Sequence, residues 1–188
     1  MSMDYANIIK GCRRHDRRAQ NALYDALAPM AMGVCMRYAH DRDEAQDMLQ
    51  DAMVIVFEKI GGVKDATKVG AWAYRVVVNE CLRHYRSRRL EYEPTGYPEE
   101  EVGQMPLDPF DTEEVVMALQ QLTVAQRLVF NLVEVEGYTY AEVASRLKSR
   151  EVNVRVLLSR AKSRLRTMLD PTTPPLIPSQ ETAVGNKK

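Results

Sequence analysis

Residues 123–166 read TVAQRLVFNLVEVEGYTYAEVASRLKSREVNVRVLLSRAKSRLR. Thr123 and Thr139 each open a capping box, T-x-x-Q and T-x-x-E, in which the side chains of the first and fourth residues bond each other's backbone N–H groups at a helix start. Apolar residues follow each box at helical spacing, and Gly137 ends the first helix. Residues 148–150 then turn the chain into a last, basic helix. The stretch therefore predicts a helix-turn-helix.

The last helix of this stretch has one apolar and one polar side. Its apolar residues predict the buried side. The residues projected outward are Val152, Arg155, Val156, Ser159, Ser163 and Arg166, and Arg160, Lys162 and Arg164 flank them near phosphates. The predicted DNA-contact set is Val152, Asn153, Arg155, Val156, Ser159, Arg160 and Ser163. Arg155 and Ser159 are the natural readers of base edges. The alternative is a solvated C-terminal helix whose basic residues are favoured by the helix dipole. The short helix and turn before it favour DNA binding.

Positive charge is concentrated in two segments of the chain. Residues 75–89 contain five arginines and residues 146–166 contain eight arginines or lysines, whereas residues 91–114 contain nine acidic residues and no basic one. The formal net charge of zero hides this segregation. Two cationic surfaces joined by an acidic segment predict contact with one long polyanion.

The first basic segment has the pattern of an amphipathic helix. Residues 74, 77, 78, 81, 82 and 85 predict a buried stripe, which makes Cys81 a core residue. The opposite side carries Trp72, Arg75, Val76, Asn79, Arg83 and Arg86. Such a surface can neutralise phosphates and stack on unpaired bases. The alternative, a solvated basic face, gives little reason to expose Trp72 and Val76.

The preceding segment predicts a helix with an acidic side. Apolar residues recur every three or four positions from Ala45 to Ile60. The other side carries Asp43, Asp47, Gln50, Asp51, Val54 and Glu58. Surface helices commonly have such a solvated face, which is the plainer interpretation. A helix-shaped acidic patch can also dock a partner.

Several classes of protein are disfavoured by missing signals. No GxGxxG, GxxxxGK[ST], GxSxG or HExxH motif occurs, so we expect no enzymatic activity and no catalytic residues. Cys12, Cys35 and Cys81 lack the spacing of a disulfide framework or of a zinc site, so we expect no metal and no cofactor. No apolar run approaches the roughly 20 residues that span a bilayer, and the N-terminus lacks the features of a signal peptide. We expect a cytoplasmic protein.

Proline positions divide the chain into segments. Apart from Pro29, the prolines fall at residues 94–109 and 171–178, which leaves helical blocks at about residues 37–92 and 110–170. The predicted fold is all-α, with two small helical domains joined by an acidic linker and with the helix-turn-helix in the second. We place the first domain at residues 1–90, the flexible linker at 91–111, the second domain at 112–170 and a disordered tail at 171–188.

Taken in order, these segments resemble a bacterial RNA polymerase sigma factor of the extracytoplasmic-function (ECF) group of the sigma-70 family, over about residues 5–90 and 112–169. Residues 42–51, RDEAQDMLQD, resemble the family's core-polymerase-binding helix. The resemblance implies that Asp47, Gln50 and Asp51 are docking residues. Asp43 and Val54, on the same side of the helix, complete the predicted docking set.

Residues 71–79, AWAYRVVVN, are similar to the family's promoter-melting helix. The resemblance implies that Trp72, Asn79 and Arg83 face the non-template strand at the minus-ten element. Arg75 and Arg86 complete the predicted minus-ten set. The preceding loop, residues 61–70, would cradle a flipped base.

Residues 137–144, GYTYAEVA, and residues 158–161, LSRA, resemble the family's second domain, which reads the minus-thirty-five element. The turn departs from the family pattern, since residues 148–153 replace a usual Gly, an apolar residue, a Ser cap and a Gly-Thr pair, and Leu157 replaces a common Arg. Lys148 at the Gly position would cost about 1 kcal/mol if its φ must be positive. We therefore expect a rebuilt turn with Ser149 as the helix cap.

The resemblance implies a transcription initiation factor that binds core RNA polymerase, directs it to specific promoters and assists strand opening. Core RNA polymerase and promoter DNA are the expected partners, and the free protein is expected to be a monomer with no membrane insertion. Two alternatives stay open: a stand-alone helix-turn-helix regulator, and a sigma-like decoy that titrates polymerase or an inhibitor. The sequence also leaves open the promoter sequence and the existence of an anti-sigma factor, which would cover the same faces.

Overall fold

A computed structural model describes residues 4–88 and 113–169, without the side chains of residues 86–88. The described residues form α-helices, short 3₁₀ turns and one π-helical segment, with no strand among them. The predicted all-α class is confirmed. The predicted linker at 91–111 and tail at 171–188 lie outside the described residues, and the domain bounds stay predictions.

The first helical unit contains four helices. They are α1 (Tyr5–Arg13), α2 (Arg17–Tyr38), α3 (Arg42–Lys59) and α4 (Val69–Arg88), and the turns Ile60–Gly62 and Ala66–Lys68 join α3 to α4. An aspartate caps each of the first three: the carboxylates of Asp4, Asp16 and Asp41 accept backbone N–H groups of the following turn. These caps satisfy N–H groups that have no partner within the helix.

Helix α2 continues through Pro29, which the proline pattern did not anticipate because it placed a helical block only from about residue 37. The helix is 22 residues long. Proline inside a helix removes one N–H donor and normally kinks or ends the helix. Here Leu27 and Ala31, on either side of the proline, are buried against the other helices. Tertiary packing on both sides holds α2 together.

The core of the first unit lies between α2, α3 and α4. The apolar positions predicted for α3 are buried: Ala45, Leu49, Ala52, Val56 and Ile60. Cys81 is also buried, as predicted for the stripe of α4. Its thiol has a pKa raised well above the ordinary value by a hydrogen bond with Cys35 and by burial. No helix in the two described ranges is long and apolar enough to cross a bilayer.

The second unit contains α5 (Glu113–Gln120), α6 (Val124–Phe130), the π-helical segment Asn131–Val135, α7 (Tyr140–Arg146) and α8 (Glu151–Leu169). Both predicted capping boxes are present, at Thr123 and Thr139. Gly137 ends the π-helical segment with a φ of 75°, a conformation that glycine adopts without a steric penalty. Leu119, Leu132 and Val143 are fully buried in the core of this unit.

The two units are in contact. Helix α2 packs against α5 and α6, and the buried side chains of both units form one continuous cluster. Helical periodicity and charge pattern did not predict this contact.

Candidate protein and nucleic-acid interfaces

The predicted docking set lies on the outer side of α3. Asp41 caps this helix by accepting the Glu44 N–H at 2.8 Å, and the burial of the opposite side fixes how the helix is rotated about its axis. All five members of the predicted set are exposed: Asp43, Asp47, Gln50, Asp51 and Val54. Val54 is 54% exposed. An apolar side chain surrounded by carboxylates on a rigid helix is suited to a partner that combines basic and apolar groups.

The predicted minus-ten set lies on α4, with different degrees of exposure. Trp72, Arg75 and Asn79 are partly buried. The Trp72 indole packs against the core, so it is less exposed than the sequence pattern predicted. The side chain of Arg86 lies outside the described part of the chain. The arrangement leaves amide and guanidinium groups beside a fixed aromatic ring.

Val76 corrects the helical projection. It was predicted to lie outward with Trp72, but it is only 5% exposed. Helix α4 packs against α2, α3 and the turn Ala66–Lys68. These neighbours cover more than one stripe of the helix, so the outward side is narrower than the sequence projection predicted.

Arg83 is exposed and already paired. Its Nε donates to Glu80 Oε1 at 2.6 Å, and its Nη2 lies 3.4 Å from Asp51 Oδ2 on α3. Glu80 is 1% exposed, so Arg83 also compensates the negative charge of a buried carboxylate. Glu80 was not predicted from the sequence as a functional residue, although an acidic residue three positions before an arginine on one helix could have indicated this pair.

The loop before α4 is held by Arg13, whose role was not predicted from the sequence. Arg13, at the end of α1, donates from Nε to the Gly61 carbonyl at 3.0 Å and from Nη2 to the Val63 carbonyl at 3.3 Å. Asp65 accepts the Thr67 hydroxyl at 2.6 Å and the Thr67 N–H at 3.0 Å. These hydrogen bonds lower the pKa of the Asp65 carboxyl. The loop predicted to receive a base therefore has a fixed backbone.

The turn of the helix-turn-helix keeps left-handed geometry at an unusual residue. Lys148 has a φ of 47°. Its N–H donates to the Ser145 carbonyl at 3.2 Å, and the N–H of Ser149 donates to the Ala144 carbonyl at 2.9 Å. This pair of bonds is a Schellman motif, in which the left-handed position is normally glycine. The lysine occupies the glycine position without rebuilding the turn.

Ser149 is not the cap of α8, so that expectation was wrong. The Arg150 carbonyl accepts the N–H groups of Asn153 at 2.9 Å and of Val154 at 3.2 Å, which makes Arg150 the residue that opens the helix. The Ser149 hydroxyl lies one position earlier and accepts the Asn153 side-chain amide at 3.4 Å. Three linked backbone and side-chain contacts therefore set the start of α8.

The outer side of α8 carries the predicted minus-thirty-five set. All seven of its members are exposed: Val152, Asn153, Arg155, Val156, Ser159, Arg160 and Ser163. Arg155 lies 4.6 Å above the Tyr140 ring and 3.8 Å from Glu151 Oε2. These contacts orient the guanidinium outward before any ligand binds. Lys162, expected beside phosphates, instead forms a 2.8 Å ion pair with Glu134.

Comparison with known proteins identifies both units. A model of sigma-70 region 2 matches residues 23–91, and a model of sigma-70 region 4 matches residues 112–165. The chain is 31% identical over 135 residues to the RNA polymerase sigma-E factor of Streptomyces avermitilis. The aligned region covers 71% of this chain and 75% of that protein. This chain belongs to the ECF group of the sigma-70 family.

Two further RNA polymerase sigma factors are similar to the chain. The ECF RNA polymerase sigma factor SigM of Mycobacterium tuberculosis is 34% identical over 130 residues, covering 68% of this chain and 65% of that protein. The RNA polymerase sigma-H factor of Pseudomonas aeruginosa is 24% identical over 179 residues, covering 87% of this chain and 93% of that protein. In this sigma factor, the region 2 match includes α3 and α4, and the region 4 match includes the helix-turn-helix.

Proposed function

We propose that this sigma factor is a dissociable promoter-specificity subunit of RNA polymerase that makes and breaks no covalent bond itself. Helix α3 docks on the core enzyme, α4 captures the opened minus-ten element, and α8 reads the minus-thirty-five element. The protein acts in the cytoplasm. Family membership supports the overall role, and the positions of the exposed charged residues support the division of labour among helices.

Docking through α3 is supported by the character of its outer side. Asp43, Asp47 and Asp51 present carboxylates at about one-turn intervals, and the exposed Val54 supplies an apolar contact at the end of the row. Since all of them sit on one helix whose opposite side is buried, they can meet a basic helical partner without reorganisation.

Capture of melted DNA through α4 is supported by the mixture of groups along it. Trp72 offers a ring that is held by packing, and Asn79 and Arg83 add an amide and a guanidinium further along. Stacking contributes about 1–3 kcal/mol per base in single-strand binding. Unstacking costs a few kcal/mol per extruded base. Captured bases and polymerase contacts together offset that cost.

Reading of duplex DNA through α8 is supported by Arg155. Its guanidinium is 61% exposed in the side chain and is held by Tyr140 and Glu151. A bidentate arginine contact to guanine contributes about 1–3 kcal/mol of discrimination. Arg160 and Ser163, also exposed, lie further along the same helix and can contact the phosphate backbone.

The observation that carries the proposal is the match of both family regions to a chain whose predicted docking set on α3 and predicted minus-thirty-five set on α8 are exposed, with Arg83 exposed on α4. Run-off transcription with purified core RNA polymerase and a library of genomic fragments tests it. The expected result is specific transcripts that depend on this protein. A stand-alone regulator would instead bind promoters tightly without polymerase, and a decoy would bind polymerase without initiation.

Two variants test the assignment of helices. Asp47→Lys should abolish capture of core polymerase, because a charge reversal on the docking side leaves like charges facing the partner. Asp25→Lys, a charge reversal at an exposed position on α2, is the matched control and should bind normally. Arg155→Ala should retain polymerase binding and reduce promoter discrimination by about 1–3 kcal/mol. Loss of capture in both reversals would reject the assignment to α3.

A further inference from the structure

A third basic segment lies at the junction of α1 and α2. Residues 10–18, KGCRRHDRR, contain five basic residues and one acidic residue, and the basic ones are Lys10, Arg13, Arg14, Arg17 and Arg18. All five are exposed. The two basic segments predicted from the charge pattern, 75–89 and 146–166, do not include them. The match to sigma-70 region 2 begins at residue 23, so the segment lies outside both regions that the family models match.

The junction is one tight turn of the backbone. The N–H of His15 donates to the Cys12 carbonyl at 3.0 Å, and the N–H of Asp16 donates to the Gly11 carbonyl at 3.1 Å. His15 has a φ of 57°, which completes a Schellman motif at the end of α1. Gly11 lies so close to α2 that an added Cβ would be 2.4 Å from the Ala19 Cβ. The arginines of the junction therefore project from a fixed backbone.

Arg17 and Arg18 occupy an unfavourable place for helix stability. They are the first two residues of α2, and the N-terminus of a helix carries partial positive charge from the helix dipole. The first turns of α3, α5, α7 and α8 contain acidic residues, whereas the first turn of α2 contains none. The dipole favours Arg13 at the end of α1 but opposes two cations at the start of α2. A local preference broken without a structural gain indicates a functional position.

The charge of these arginines is not neutralised within the described part of the chain. Asp16, the one carboxylate of the turn, accepts the backbone N–H of Arg18 at 2.9 Å and so caps α2. The guanidinium groups of Arg14, Arg17 and Arg18 form no ion pair with another described residue. Several exposed guanidinium groups on one fixed turn suit a partner that presents several anionic oxygens.

Arg13 joins this turn to the loop before α4. Its guanidinium donates to the carbonyls of Gly61 and Val63, and α1 packs against both 3₁₀ turns of the loop. Lys64, which follows Val63, and Lys68 are exposed. The turn and the loop together form one cationic junction surface. Six basic residues and two aspartates make up this surface: Arg13, Arg14, Arg17, Arg18, Lys64, Lys68, Asp16 and Asp65.

We propose that the junction surface binds backbone phosphates of the promoter strand whose base is received by the loop at residues 61–70. A single strand presents anionic phosphate oxygens at regular intervals, and spaced guanidinium and ammonium groups match them. Phosphate contacts carry no sequence information. The surface therefore adds affinity and holds the strand in place, while base selection belongs to α4 and the loop. The proposal rests on the proposed function, because it takes the capture of melted DNA beside α4 as given.

Binding of a single-stranded oligonucleotide to the full chain on core polymerase tests the junction surface. The oligonucleotide carries the non-template minus-ten sequence of a promoter found by run-off transcription. The variant Arg14→Gln/Arg17→Gln/Arg18→Gln should bind it more weakly at low salt, and the difference should shrink as salt rises. Each single-strand phosphate contact contributes about 0.7 to the slope of log affinity against log salt, so the slope should flatten by up to about 2. Discrimination against an oligonucleotide with substituted bases should not change.

A charge-preserving variant at the same positions is the first control. Arg14→Lys/Arg17→Lys/Arg18→Lys keeps three cations that bind phosphate, so it should retain most of the affinity and the salt slope. Thermal unfolding checks that the variants are folded. The glutamine variant should not unfold at a lower temperature than the wild type, because it removes cations from the positive end of α2.

A charge-matched variant at a distant surface is the second control. Arg160→Gln/Arg164→Gln/Arg166→Gln removes the same charge from exposed positions on α8. It should leave binding of the minus-ten oligonucleotide unchanged, because α8 is assigned to the minus-thirty-five element. An equal loss of binding in this variant would show that total charge matters and its position does not, which overturns the proposal.

Each remaining outcome decides the assignment to DNA. Weaker binding with a flatter salt slope in the glutamine variant, and not in the two controls, supports the junction surface. Unchanged affinity and slope in the folded glutamine variant overturn it. If the glutamine variant loses affinity for core polymerase and not for the oligonucleotide, the surface faces an acidic part of the polymerase, and the assignment to DNA is wrong.

Failure of the proposed function is visible in the wild type alone. If the wild-type chain does not bind core polymerase, or adds no oligonucleotide binding to it, the proposed function fails. The free full chain and a random-sequence single strand at low salt then decide whether the junction surface binds phosphates. Weaker binding by the glutamine variant than by the wild type and the lysine variant supports phosphate binding, and equal binding by all three overturns it.

Discussion

Arg83 Nη2 lies 3.4 Å from Asp51 Oδ2 and joins the predicted DNA-capturing helix α4 to the predicted docking helix α3. The side chains of both residues are 54% exposed. The same guanidinium donates to Glu80, which is buried. Arg83 therefore has a structural partner inside the protein in addition to its predicted role toward DNA.

This double pairing predicts unequal losses of stability. Asp51→Ala removes an exposed ion pair, which contributes about 0–1 kcal/mol. Arg83→Ala leaves the buried Glu80 carboxylate without its donor and should cost about 1–3 kcal/mol. Urea unfolding of both variants measures the difference. Equal losses of stability would show that the buried Glu80 carboxylate does not need Arg83 as its donor. Any DNA-binding measurement on Arg83→Ala should be corrected for the loss of stability.

Replacing Lys148 by glycine should stabilise the second unit. Lys148 has a φ of 47°, where a non-glycine residue is strained by about 1 kcal/mol. We expect Lys148→Gly to raise the free energy of unfolding by up to about 1 kcal/mol. Ser145→Gly, on the exposed side of α7, should lower it by about 1 kcal/mol. Thermal unfolding distinguishes the two, and a loss in both variants would contradict the strain at Lys148.

Glu142 should make the stability of the second unit depend on pH. Its pKa is lowered below the ordinary value of 4.5 by hydrogen bonds from the Thr139 hydroxyl and N–H group. A carboxyl whose pKa is lowered in the folded state adds stability above its unfolded pKa and loses it as the pH falls through the folded value. Glu142→Gln should therefore lose stability relative to the wild type at neutral pH but not in acid below the folded pKa. A constant difference down to the acid limit would count against this assignment.

The cysteines should resist alkylation in the folded protein. Cys12, Cys35 and Cys81 are all buried. Burial raises the pKa of the Cys12 thiol, and a hydrogen bond with Cys35 together with burial raises the pKa of the Cys81 thiol. Since the thiolate is the reactive form, iodoacetamide near neutral pH should modify Cys81 only after unfolding. Mass spectrometry with and without urea checks this, and rapid modification of Cys81 in the native protein would contradict it.

Local sequence signals predicted the helices and their ends. The capping boxes at Thr123 and Thr139 depend on residues three positions apart, and the buried side of α3 follows from a repeat of three or four residues. The terminator Gly137 likewise needs only its own backbone freedom. For the same reason, the exposure of Asp47 and Arg155 could be predicted before the structure was known.

Tertiary packing determined the features that local sequence patterns predicted wrongly or did not predict. Val76 is buried because three elements surround α4, and α2 passes through Pro29 because both flanks of the proline are packed. Lys148 accepts left-handed geometry because the bonds from its own N–H and that of Ser149 close the turn. Each of these depends on neighbours that helical periodicity does not specify.

The sequence by itself determined the helices, the segregation of charge and the family of this protein, because each rests on residues close together in the chain. Only the tertiary structure decided that the two units meet. Asn131 and Arg37 are 94 positions apart, and no repeat or motif pairs an amide with a distant backbone carbonyl. Such a contact depends on how whole helices pack, which residues close together in the chain do not specify.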